Sequence, residues 1–135
     1  MLSIVYSGDE AKKISSAFKD AQLVDARKCE EINGESDVLG FVIPLSGSSL
    51  PLSIENYINT IIGNRENRNL GYIFAIFLPD EQKGTWAANR LSSLLSDSGC
   101  VLSYYAYYDE EKKNEILRDV ESEKFRIAGN GLFYR

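Results

Sequence analysis

Val38-Leu39-Gly40-Phe41-Val42-Ile43 runs without a polar side chain until Pro44 closes it. A strand with one wet face alternates apolar and polar residues, whereas a continuous apolar run has both faces covered. Helices on both sides of a parallel sheet provide that cover. Tyr72 to Leu78 (Tyr-Ile-Phe-Ala-Ile-Phe-Leu) repeats the pattern. Between the two runs Ile54, Tyr57, Ile58, Ile61 and Ile62 form a helical stripe, with Pro51 in its first turn and Gly63-Asn64 at its end. Strand, helix and strand in this order form one βαβ unit.

The same alternation extends in both directions. Upstream, Leu2 to Tyr6 reads as a strand, and Asp9 to Ala21 as a helix burying Ala11, Ile14, Phe18 and Ala21. Leu23 to Asp25 is a short second strand, and residues 26–37 hold at most a short helix. Downstream, Thr85 to Ser98 is a helix stopped by Gly99, Val101 to Tyr108 a fifth strand and Glu110 to Glu121 a last helix. Five repeats predict a three-layer, doubly wound α/β domain spanning 1–135, with a five-stranded parallel sheet in the order 2-1-3-4-5. Residues 125–135, with Gly129-Asn130-Gly131, read as a hairpin, an added strand or the start of a linker. Ligands of such sheets bind where the strand order reverses, outside the carboxyl ends. That selects three loops: Ser7–Lys12, Pro44–Pro51 and Pro79–Trp86.

Composition removes several functions. The chain has no histidine, so it carries no Ser-His-Asp triad, no Cys-His pair and no histidine metal site. Cys29 and Cys100 have no metal-ligand spacing and fall beside opposite sheet edges, which excludes a disulfide between them. With 15 basic and 20 acidic residues the net charge is −5, and no basic patch suits nucleic acid. That surface is either simply solvated or steers the chain to a basic protein partner. No apolar run approaches the roughly 20 residues of a membrane span, and Met1-Leu2-Ser3-Ile4 does not open a signal peptide, so a cytoplasmic location is expected. No GxGxxG or GxxxxGK[ST] motif occurs.

Three segments resemble the flavodoxin family. Ile4-Val5-Tyr6-Ser7-Gly8 matches a first strand entering a Ser/Thr-Gly-Thr-Gly-Asn-Thr loop. Asp37-Val38-Leu39-Gly40-Phe41-Val42-Ile43-Pro44, followed by a small-residue loop and Leu50-Pro51, is similar to the family's Asp-x-x-Gly-Phe-x-x-Pro third strand and helix entry. Tyr72 to Phe77 looks like the fourth strand. The resemblance covers residues 1 to about 108 and is closest to short FMN-binding flavodoxins; 125–135 is an atypical C-terminal extension.

The resemblance implies a non-covalent FMN and electron transfer to or from a protein partner. Ser7, Gly8 and Lys12 would hold the phosphate; Ser46, Gly47 and Ser48 would face the ring; Gly84 and Trp86 would close its far side; Pro44 also counts among the cofactor-binding residues. The phosphate loop is degenerate, with Asp9-Glu10-Ala11-Lys12 where the family has Thr, Gly, Asn and Thr. Each residue also has a plain structural reading. Asp9 suits a helix N-cap, Glu10 the positive helix end, and Trp86 the core. Tyr104, Tyr105, Tyr107 and Tyr108 suit an edge strand or a partner surface. Two alternative functions follow: a flavodoxin fold that has lost FMN and serves as an interaction module, or a flavin-dependent reductase of a small acceptor.

Overall fold

A computed structural model describes residues 2–33, 36–46, 49–64, 70–78, 86–112 and 114–120. Its strands are β1 (Leu2–Tyr6), β2 (Gln22–Asp25), β3 (Val38–Pro44), β4 (Tyr72–Leu78) and β5 (Tyr104–Tyr107). Its helices are α1 (Asp9–Ser15), α2 (Leu52–Tyr57), α3 (Trp86–Asp97) and α4 (114–120). The strands form one parallel sheet in the order β2-β1-β3-β4-β5, as the alternation predicts. β1 and β3 are therefore neighbours, and the chain turns to opposite sides after them.

Volume is matched along the sheet. One row of register partners runs Leu23, Ile4, Gly40, Phe74, Tyr104. A Cβ on Gly40 would lie 2.3 Å from Cζ of Phe74, so the bare backbone of β3 is the bed for that ring. Phe18 and Tyr72 pack on Phe74 with centroids 5.7 and 5.9 Å away. α1 and α4 cover this face with Ala11, Ile116 and Val120. The next row sets Phe41 against Ala75, again large beside small, and α2 and α3 cover it with Ile54, Tyr57, Leu91 and Leu95.

Three elements depart from the sequence expectation. α1 stops at Ser15 rather than Ala21. Ser15 and Ser16 donate their hydroxyls back to the carbonyls of Ala11 and Lys12, and the chain tightens through Ala17 N–H to Ile14 O and Phe18 N–H to Ser15 O. Phe18 still reaches the core. Asp9 is the first helical residue rather than the N-cap; Gly8 holds the cap position, with φ 90° and no side-chain cap. β5 pairs only from Tyr104, leaving Val101 74% exposed, and the last helix is split into a 3₁₀ turn (Glu110–Lys112) and α4.

α2 runs into a π turn over Ile58–Ile62, closed by Gly63 N–H donating to the Ile58 carbonyl at 2.8 Å. Ile58 and Ile62 both stay buried. The Tyr57 hydroxyl donates to the Glu30 carbonyl at 2.5 Å, tying the helix to the segment after β2. Cys29 is exposed, Cys100 is buried, and neither forms a disulfide. Among the described residues no helix is long and apolar enough to cross a membrane. Residues 125–135 lie outside the described residues.

Candidate functional site

The reversal between β1 and β3 opens a cavity of about 710 Å³ at their carboxyl ends. That volume falls in the range of small-molecule sites. Each wall comes from a strand end or from the entry to α2.

β1 delivers Ser7, only 1% exposed, whose Oγ lies 2.7 Å from Oγ of Ser53 in the first turn of α2. β3 delivers Pro44, and Leu45 N–H is fastened to the Leu78 carbonyl at 3.1 Å. Ser46 and Ser49 pair across the loop in an antiparallel bridge. Leu50 is buried beneath this loop, and Pro51 starts α2, its carbonyl accepting from Ile54 and Glu55 N–H. Leu52 stands at the mouth, 71% exposed. Glu55 also lines the cavity, and its carboxylate meets the Arg90 guanidinium at 2.9 Å.

β2 contributes Arg27. The 3₁₀ turn Ala26–Lys28 follows the strand directly, and the Asp25 carboxylate caps it by accepting from Arg27 N–H at 2.9 Å. Cys29, in the left-handed region at φ 50°, closes the turn through Ala26 O. The guanidinium lies over Gly8; a Cβ there would sit 3.2 Å from Nη2. Carboxylates crowd this corner. The Tyr6 phenol at the end of β1 has its pKa raised by burial first and then by Asp25, Glu30 and Asp9.

The expected site residues divide into three groups. Ser7, Pro44 and Ser46 line the cavity, and Gly8 lies under the guanidinium of a lining residue. Lys12, exposed on α1, is not in the lining. Trp86 is not in it either: it packs against the core between the sheet, α2 and α3, with Nε1 buried and without a hydrogen-bond partner among the described residues. Gly47, Ser48 and Gly84 lie outside the described residues. Arg27 and Ser53 were not anticipated, and Ser49 lies in the expected Pro44–Pro51 loop without having been singled out. Asp25, two residues before Arg27, is an Asx-type cap that anchors the backbone where β2 ends, but it does not direct the Arg27 side chain to the cavity. The lining thus combines four hydroxyls, a guanidinium and the Glu55 carboxylate, itself paired with Arg90, with the apolar surfaces of Pro44, Leu50, Pro51 and Leu52. Such a set suits a ligand with an oxyanion at one end and an apolar body.

No protein-family model matches the chain, and no curated protein sequence matches it. Solved structures do. A flavoprotein from Lactobacillus acidophilus NCFM in complex with FMN is similar over 84% of this chain and 96% of its own, with a TM-score of 0.59 at 12% identity. The flavodoxin of Streptococcus pneumoniae TIGR4 is similar over 93% of this chain and 98% of its own, with a TM-score of 0.60 at 11% identity. Rubredoxin oxygen:oxidoreductase from Desulfovibrio gigas is similar over 90% of this chain and 36% of its own, with a TM-score of 0.54 at 12% identity. The fold is that of the flavodoxins: five parallel strands in the order 2-1-3-4-5 with helices on both faces.

Proposed function

We propose that the chain binds FMN non-covalently and passes electrons to or from a protein partner. The observation that carries this reading is the cavity at the strand-order reversal, in which Ser7, Pro44 and Ser46 come together. Its residues fit the group: hydroxyls suit the phosphate and ribityl chain, and the apolar surfaces of Pro44 and Leu50 suit a ring system. The flavoprotein from L. acidophilus, which shares the fold, was solved with FMN bound.

Ser7 and Gly8 would hold the phosphate end, and Ser46 would face the ring. When bound, FMN supplies the redox chemistry, and the protein sets its exposure and electronic surroundings. The net charge of −5 favours a basic partner and an association rate that falls with salt.

A second reading rests on the acidic corner. Asp9 and Glu10 are exposed in the first turn of α1, and Asp9, Asp25 and Glu30 all lie close enough to act on Tyr6. A like charge at 4 Å costs about 1 kcal/mol in water, so these carboxylates oppose a dianion. Under this reading the fold has lost its flavin and acts as an interaction module.

Titration of FMN by flavin fluorescence, on the wild type and on Asp9→Thr/Glu10→Gly, separates the two. Saturable quenching by the wild type, tightened several-fold in the variant, is the expected result. Binding by the variant alone would establish the second reading, and binding by neither would overturn the FMN assignment.

A further inference from the structure

Two charged side chains line the cavity among the described residues, and they differ in what they face. Glu55 is held by Arg90 at 2.9 Å. The exposed Arg27 has no ion pair among the described residues, and its Nη2 lies 3.2 Å from where a Cβ on Gly8 would stand, in the same lining as Ser7. Arg27 is also fixed from behind. Its own N–H is taken by the Asp25 carboxylate at 2.9 Å, and Asp25 N–H donates to Glu30 Oε1 at 2.8 Å. The backbone that carries the side chain is thus pinned on both sides, and the guanidinium extends from the end of β2 across the end of β1. Gly8 permits this twice over: φ 90° suits glycine, and any side chain there would press on the guanidinium.

A planar guanidinium matches a phosphate with two parallel N–H donors, which a lysine ammonium cannot do. The hydroxyls of Ser7 and Ser53, 2.7 Å apart, lie in the same lining. Lys12, the cation that the first loop itself carries, points elsewhere. We infer that Arg27 is the specificity-determining residue of this cavity: from the end of β2 it recognises a phosphomonoester and so selects FMN over riboflavin. The inference rests on the flavin reading above. On this reading a cation from the end of β2 supplements the hydroxyls of the first loop, whose own cation, Lys12, is not in the lining.

The test is a pair of titrations, FMN and riboflavin, on the wild type, Arg27→Gln and Arg27→Lys, with thermal unfolding of each protein as a control for folding. Arg27→Gln should weaken FMN by about tenfold or more, the effect of losing hydrogen bonds to a charged group. Riboflavin affinity should not change, and Arg27→Lys should recover part of the loss. An unchanged ratio of FMN to riboflavin affinity in Arg27→Gln would overturn the inference. If the wild type binds neither flavin, the FMN reading falls, and inorganic phosphate decides on Arg27. A phosphate-dependent rise in Tm that disappears in Arg27→Gln supports the phosphate role without the flavin. No rise in the wild type overturns it.

Discussion

The middle of the sheet and its carboxyl rim are built on opposite rules. Within β1, β3 and β4 nearly every side chain is buried, and small residues sit beside large ones: Gly40 under Phe74, Ala75 beside Phe41. At the rim a few ångströms beyond, Ser7, Ser46, Ser49, Ser53 and Arg27 surround open space. In the middle an added methyl group on Gly40 meets an aromatic ring; at the rim the side chains border a cavity. Stability should therefore reside in the first region and ligand selection in the second.

The largest effect should come from Phe74→Ala, with a loss of about 3–5 kcal/mol in urea unfolding. Gly40→Ala should cost about 1–3 kcal/mol by overpacking, and much less in a Phe74→Ala background, where the ring is absent. Additive costs in that double-mutant cycle would break the volume-matching account. Between the two regions lies Tyr57, whose hydroxyl ties α2 to the Glu30 carbonyl. Tyr57→Phe should cost about 1 kcal/mol. At the rim, Ser53→Ala should cost less than that in stability, while weakening flavin binding more than it lowers Tm. A larger loss of stability than of binding would place Ser53 with the core.

The smallest effect concerns pH. Tyr108 follows β5, and its phenol is pushed up to about 12, first by burial and then by the hydrogen bond to Glu110. An unfolded tyrosine ionises near 10, so above that pH the unfolded state releases a proton that the folded state retains. The contribution is whole below about pH 10 and is lost as pH rises to about 12. Tyr108→Phe should flatten the stability curve in that window, and ultraviolet difference titration should lose one phenol that ionises near 12.

The middle of the sheet was legible because double burial leaves little choice of residue. β1 and β4 match the apolar runs at both ends, and Val38 to Ile43 lies wholly in β3. Edges were less legible. Val101 looks like a strand residue, yet β4 offers no register partner before Phe74 pairs with Tyr104. Ser15 and Ser16 compete with the helix through their own hydroxyls, a local contest that apolar spacing does not report. At the rim, Ser7, Pro44 and Ser46 could be found because a strand end locates them. Arg27 could not, because a basic residue among carboxylates reads as ordinary surface. It becomes notable only when the crossover sets the end of β2 beside that of β1.

The strand order also imposes a schedule. β1 comes first in the chain yet lies inside the sheet, and its second neighbour, β3, begins 36 residues later, with Leu2 opposite Val38. Until β3 arrives, β1 has only the four residues of β2 to pair with. A two-stranded pair of that size is marginal on its own. Long-range parallel pairing is also slow, because the loop must close before its contacts repay it. Among the sheet's neighbouring strands β1 and β3 close the longest stretch of chain, so the most apolar early segment waits longest for its cover.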